Sequence, residues 1–114
     1  MVIGGYVQKR NSAEYSLNRV IELAQSQNIR YASTKVQNDI ANLEYGVDDV
    51  CECLSNLTDK HFISAEKYPE SPRWMDIYLI KWRLPGNDYD ELYIKLSLDH
   101  SCLVIELRSF HLTR

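Results

Sequence analysis

The stretch ELYIKLSLDHSCLVIELR, residues 91–108, alternates apolar and polar side chains on both sides of a short polar segment. Alternation with a period of two indicates strands with one buried face, so this stretch predicts a β-hairpin. A two-residue turn at Asp99-His100 leaves one face apolar throughout, and we prefer this register for that reason. The residues predicted to face inward are Leu92, Ile94, Leu96, Leu103, Ile105 and Leu107.

The sequence just before this hairpin also favours strands. From Phe62 onward it is rich in aromatic and β-branched residues, and prolines mark turns near residues 69–72 and 85–88. Such segments, separated by turn residues, are typical of an antiparallel sheet. The predicted strands are residues 61–67, 73–83, 91–98 and 101–110.

Residues 11–58 have the period of helices instead. The spacing of apolar residues predicts a helix over about 12–26, a second from Thr34 to a left-handed Gly46, and a third that starts directly afterwards. The third helix has its apolar stripe at Val47, Val50, Cys51 and Leu54. Residues 1–10 lack this period and are predicted to form a loose arm or a short extended segment.

Helices followed by strands predict an α+β protein in which three N-terminal helices pack on a twisted antiparallel sheet of about four strands. A chain of 114 residues has the usual size of one domain. We therefore expect a single domain over 1–114, with an arm at 1–10, a helical half at 11–58 and a sheet at 61–110.

Composition limits the classes of function. The net charge is −3, so the protein as a whole repels phosphate, and nucleic-acid binding would need a local basic patch. Three cysteines and three histidines are scattered without ligand spacing, so we predict neither a metal site nor a cofactor. The sequence shows neither a signal peptide nor a membrane-length apolar run, and we expect a cytoplasmic protein without a membrane partner.

The polar face of the hairpin is the candidate site. Tyr93, Lys95 and Arg108 could hold an RNA backbone and stabilise the charge that builds on a phosphate under attack by a 2′-hydroxyl. Basic residues on nearby strands could extend this face; they are Lys67, Arg73, Lys81 and Arg83. The residues alone leave open the alternative that these are cross-strand salt bridges on a solvated face, such as Glu91 with Arg108.

Several stretches resemble, in the same order, the MqsR (motility quorum-sensing regulator) family of bacterial toxins. The sequence Trp74-Met75-Asp76-Ile77-Tyr78 is similar to the family's Trp-Gln-Asp-Val-Tyr, and Leu92-Tyr93-Ile94-Lys95-Leu96 is similar to its Val-Tyr-Leu-Lys-Ile or -Phe. Segments 57–62 and 103–108 also correspond, so the resemblance spans residues 12–110.

The resemblance implies a RelE-like fold and a metal-independent endoribonuclease, an mRNA interferase that inhibits translation. It also implies two partners, a cognate antitoxin protein and messenger RNA, either free or on the ribosome. Tyr93 and Arg108 would be catalytic, Tyr93 by stacking or proton transfer and Arg108 at the scissile phosphate. Lys67, Arg73 and Lys95 would bind the RNA.

Two functional positions of the family carry other residues here. A family lysine falls on Ser64, and the glutamine between tryptophan and aspartate falls on Met75. These replacements leave open an alternative function, a non-catalytic RelE-like domain that binds another protein.

Overall fold

The computed structural model describes residues 6–83, 86 and 88–113. In chain order its elements are β1 (Gln8–Arg10), α1 (Leu17–Gln25), β2 (Ile29–Tyr31), α2 (Thr34–Asn42), α3 (Val47–Ser55), a 3-10 turn (Asp59–His61), β3 (Phe62–Lys67), β4 (Trp74–Arg83), β5 (Tyr89–Leu98) and β6 (Ile105–Leu112). Two of the four residues of the predicted turn at 85–88 lie outside the described part. None of the described helices is long and apolar enough to cross a membrane.

The sheet corrects the predicted fold. The class is α+β with three helices, but the sheet has six strands in the order β1-β3-β4-β5-β6-β2, not about four. It is also mixed rather than antiparallel, because β2 runs parallel to β6. Both additional strands are three-residue edge strands, too short to show an alternating pattern. The sequence predicted a short extended piece at Ile29 to Ala32 and allowed one within residues 1–10, and both are strands. Their pairing with distant strands is what a local pattern does not reveal.

The helix boundaries follow the residues that cap them. Helix α1 begins at Leu17, later than predicted, because the Ser16 side chain accepts a hydrogen bond from Arg19 N–H at 3.3 Å. Gly46 is not left-handed as predicted: its φ is −85°, and it caps the start of α3. The left-handed residue after α2 is Glu44, with φ of 63°.

One face of the sheet, here called the helix side, carries the core. Buried residues of the three helices pack there against Tyr78, Ile80, Leu92, Ile94, Leu96, Leu98, Ile105, Leu107 and Phe110. Five of the six hairpin residues predicted to face inward are buried. The sixth, Leu103, is 55% exposed, and Val47 of the predicted α3 stripe is 44% exposed.

The register of the last hairpin also differs from the prediction. Leu98 pairs with Ile105 instead of Ser101. The connecting loop is longer than two residues because the Asp99 carboxylate accepts a hydrogen bond from Leu103 N–H at 2.8 Å and so closes a wider turn. The shift is an even number of residues, and the apolar face was therefore identified correctly for all but Leu103.

A β-bulge lies farther along the same pair of strands. Leu96 pairs with Leu107 and Lys95 pairs with Ser109, so Arg108 is an extra residue without a cross-strand partner. Such a bulge inserts one residue and redirects the side chains that follow. The second half of β6 can therefore keep its apolar residues on the helix side, although the simple alternation is broken at Arg108.

Candidate active site

The face of the sheet opposite the helices, here called the open face, carries the polar residues of β3, β4, β5 and β6. Cross-strand pairing determines which side chains of this face are neighbours. Tyr93 lies beside Leu79, and Lys95 lies beside Ile77. Paired residues project to the same side of a sheet, so these side chains share one face. Tyr93, Lys95 and Arg108, which the sequence placed together, all belong to it.

Lys95 is the best-enclosed cation of this face, with a side chain that is 12% exposed. Its ammonium reaches across β4 toward β3, where it donates a hydrogen bond to the Tyr68 hydroxyl. The Glu66 carboxylate lies 3.8 Å from the same nitrogen. The ammonium also lies 4.7 Å from the centre of the Tyr68 ring and 5.9 Å from that of Tyr93. One ammonium thus joins two aromatic rings and a carboxylate from three segments of the chain.

The surroundings keep Lys95 and Tyr93 protonated. Burial alone would lower the pKa of Lys95, but the hydrogen bond to Tyr68 and the charge of Glu66 outweigh it and raise that pKa. Burial raises the pKa of the Tyr93 hydroxyl, and the charge of Lys95 offsets this only in part. At neutral pH the site therefore presents an ammonium and a neutral phenol.

Arg108 stands in the bulge of β6 and extends over the end of β5. Its Nε donates to Ser97 Oγ at 3.3 Å, and its terminal nitrogen donates to Glu106 Oε1 at 3.1 Å. Arg30, on edge strand β2, donates to the other oxygen of Glu106. Burial alone would raise the pKa of Glu106, but the hydrogen bond from Arg30 and the charge of Arg108 outweigh it and lower that pKa. A shared carboxylate thus holds both guanidinium groups.

His111 completes the row of Tyr93. The two rings stack with their centres 5.2 Å apart and their planes inclined by 15°. His111 Nδ1 lies 2.7 Å from the Leu112 carbonyl oxygen. A carbonyl only accepts, so Nδ1 carries the hydrogen and Nε2 is left as the acceptor of the neutral ring. The sequence identified His111 only as one of three scattered histidines.

Of the other candidate RNA-binding residues, Lys67 lies on the opposite face, and Arg73 lies at the end of β5, where its charge helps to lower the pKa of Glu106. Lys67 pairs with Trp74 in a regular stretch of β3, and no bulge intervenes between it and Ser64, so Lys67 projects to the helix side. Arg73 precedes β4 and donates to the Leu98 carbonyl at the end of β5. It lines a cavity of about 310 Å³ with Tyr15, Trp74 and His100. Lys81 shares the open face and the side chain of Arg83 lies outside the described part.

The two replaced family positions both belong to the open face. Ser64 pairs with Ile77, in the same row as Lys95, and Met75 pairs with Glu66. Met75 is 5% exposed, so a buried apolar side chain occupies the position of the family's glutamine. The sequence analysis did not select Glu66 as a site residue. It could have done so, because Glu66 lies two residues after Ser64 and residues two apart on a strand share a face.

The Trp74–Asp76 stretch, by contrast, has a structural role in this chain. Asp76 is fully buried, and its carboxylate accepts hydrogen bonds from the backbone N–H groups of Glu14 at 2.9 Å and Tyr15 at 3.0 Å. The Tyr15 hydroxyl donates to the Trp74 carbonyl at 2.7 Å. These bonds fasten the segment before α1 to β4. Burial raises the pKa of Asp76, and the two backbone hydrogen bonds counteract this.

Comparison with known proteins relates this geometry to a family. A sequence model for the family described as "Motility quorum-sensing regulator, toxin of MqsA" matches residues 12–111. This confirms the resemblance found in the sequence, over almost the same range. No curated protein sequence matches the chain significantly. Across the described residues, no three histidine, cysteine, aspartate or glutamate side chains are grouped as metal ligands would be.

Proposed function

The chain belongs to the motility quorum-sensing regulator family of toxins, and we propose that it acts as an endoribonuclease that cleaves messenger RNA without a metal ion. It is thus a toxin of a toxin–antitoxin system, and the family implies an antitoxin as its protein partner. In the proposed function the toxin inhibits translation in the cytoplasm by cutting messenger RNA, either free or on the ribosome.

The observation that supports this proposal is the pair of cations on the open face. The Lys95 ammonium and the Arg108 guanidinium come from neighbouring strands and are held by Tyr68, Ser97 and Glu106. An RNA phosphate that contacts such a fixed cation would have its developing charge stabilised without reorganisation of the site. Arg108 can present two parallel N–H groups to phosphate oxygens.

The aromatic residues of this face suit RNA as well. The Tyr93 ring stacks on His111, and the Lys95 ammonium lies 5.9 Å from its centre. Bases of single-stranded RNA stack on such rings, while basic groups follow the backbone. Local cations are needed because the net charge of the chain is −3. We therefore propose that Tyr93 and Arg108 act on the scissile nucleotide and that Lys95 binds the adjoining backbone.

The test combines growth and cleavage. Induced expression of the wild type should arrest growth, and the purified protein should cleave RNA in the presence of a metal chelator. Arg108→Ala should lower the cleavage rate about 10²–10³-fold, as expected for the loss of a group that stabilises transition-state charge. Lys60→Ala, at an exposed lysine of the 3-10 turn, is the control and should cleave like the wild type. Undiminished cleavage by Arg108→Ala would remove Arg108 from the mechanism.

A second candidate function rests on Ser64 and Met75. With a serine and a buried methionine at two functional positions of the family, the sheet could serve as a non-catalytic domain that binds another protein. This alternative expects neither growth arrest nor an RNA product, and it expects a stable complex with the partner. The same cleavage assay separates the two functions.

A further inference from the structure

We propose that Glu66 is the general base of this site, the group that removes the proton from the attacking 2′-hydroxyl. This inference rests on the proposed ribonuclease function and deepens it. It concerns a residue that the sequence did not select and that lies two positions from Ser64, where the family's lysine is absent. Cleavage by a 2′-hydroxyl needs a proton acceptor next to the nucleophile.

The residues already assigned to the site cannot accept that proton. Arg108 stays protonated at any ordinary pH. The raised pKa of Lys95 keeps its ammonium charged, and the raised pKa of Tyr93 keeps its hydroxyl neutral. All three are therefore proton donors at neutral pH. A site that contained them alone would bind and polarise the phosphate but leave the nucleophile protonated.

Glu66 lies on β3 opposite Met75, two strands away from β5, and the Lys95 ammonium reaches it across β4. Its side chain is 14% exposed. One oxygen accepts from the Tyr68 hydroxyl at 3.2 Å and lies 3.8 Å from the Lys95 ammonium, and the other lies 3.8 Å from Lys9. Both ion pairs are longer than a charge-assisted hydrogen bond, so the carboxylate keeps lone pairs for an incoming hydroxyl.

Other acceptors of the open face fit the role less well. Glu106 accepts from Arg30 and Arg108, and its lowered pKa makes it a weaker base. Glu91 accepts from Thr113 near the other end of β5 and pairs with Lys81. His111 offers a free Nε2, but it adjoins Tyr93, not Lys95. It remains the acceptor against which Glu66 is tested.

In the proposed cleavage step, a Glu66 carboxylate oxygen takes the proton of the 2′-hydroxyl while the 2′-oxygen forms a bond to phosphorus. The bond from phosphorus to the 5′-oxygen breaks, and this oxygen takes a proton from the Tyr93 hydroxyl. The products are a 2′,3′-cyclic phosphate and a 5′-hydroxyl. Exchange with water then returns the proton to Tyr93 and removes the one on Glu66, so no other reactant is needed.

The test compares two variants that each remove one negative charge from the same face. Glu66→Gln should lower the cleavage rate about 10²–10⁴-fold, the usual contribution of a general base, and Glu91→Gln should not lower it. Glu66→Asp, which keeps the carboxylate, should restore part of the rate. Binding is measured with an RNA that carries 2′-deoxyribose at the scissile nucleotide, and both glutamine variants should bind it like the wild type, which also shows that they fold.

A pH profile separates a base from a merely structural residue. Lys9, Tyr68, Tyr93 and Lys95 are the titratable groups that face Glu66. The wild-type rate should fall in acid, where a carboxylate becomes protonated, and this fall should be missing in Glu66→Gln. Rapid cleavage by Glu66→Gln, or the same acid limb in both proteins, would overturn the assignment, as would a loss that occurs only in His111→Gln.

These outcomes distinguish the two proposals. A wild-type protein that neither cleaves RNA nor arrests growth would contradict the ribonuclease function itself, and with it the role of Glu66. An active wild type together with an equally active Glu66→Gln would contradict the role of Glu66 alone.

Discussion

The two faces of the sheet differ in what their residues touch. On the helix side, Phe110 is fully buried, and its ring meets Tyr45 edge-on with the centres 5.9 Å apart. On the open face, the side chain of Arg108, two residues earlier on the same strand, is 32% exposed. It donates hydrogen bonds to Ser97 and Glu106. One strand thus carries both a core residue and a residue of the candidate site, and the bulge at Arg108 lies between the two.

The largest effect should come from breaking the helix side. Phe110→Ala should lower the free energy of unfolding by about 3–5 kcal/mol, because it removes a buried ring and leaves a cavity. Urea unfolding monitored by circular dichroism measures this. Arg108→Ala is the matched variant on the other face, and it should change the stability far less than the cleavage rate. A Phe110→Ala protein as stable as the wild type would contradict the assignment of this face to the core.

A smaller effect is expected at the buried polar residue of the helix side. Asp76→Ala should cost about 1–3 kcal/mol of unfolding free energy, because it leaves the N–H groups of Glu14 and Tyr15 without their acceptor. Chemical unfolding measures the loss, with Glu70→Ala at an exposed position of the β3–β4 turn as control. If Asp76→Ala instead reduced cleavage without reducing stability, Asp76 would belong to the active site and the contrast between the faces would be wrong there.

The smallest effect is expected at Lys67, a residue that the sequence grouped with the RNA-binding set. Its side chain projects to the helix side, so Lys67→Ala should leave cleavage unchanged and alter stability by less than about 0.5 kcal/mol, as for most surface substitutions. The cleavage assay used for Arg108→Ala measures this directly. A loss of cleavage like that of Arg108→Ala would show that RNA also contacts the other face.

Much of the fold could be predicted because it depends on local patterns. The alternation in β5 identified Leu92, Ile94 and Leu96 as inward, and all three are buried. The loop after β5 could not be predicted, because its length depends on a hydrogen bond from Leu103 N–H to the Asp99 side chain. The sequence indicated extended backbone at both edge strands, but their place in the sheet was not predictable, because it depends on pairing with the distant strands β3 and β6.

The candidate site was predictable in part. Tyr93, Lys95 and Arg108 were grouped correctly on one face, because the parity of a strand survives an even shift of register. The contact between Lys95 and Glu66 was not predictable, since it crosses β4 and depends on the register of two strand pairs and on Tyr68 in the following turn. Whether these residues cleave RNA remains a prediction.

The parallel pairing of β2 with β6 also determines when the sheet can form during folding. Ile29 pairs with Ile105, although most of the chain separates them in sequence. Such non-local contacts slow folding, because a long loop must close before they form. During synthesis β2 has no partner until β6 has been made, and β6 also carries Arg108. A nascent chain therefore lacks β6 and the guanidinium of Arg108 together, so the proposed site cannot form until β6 has been synthesised.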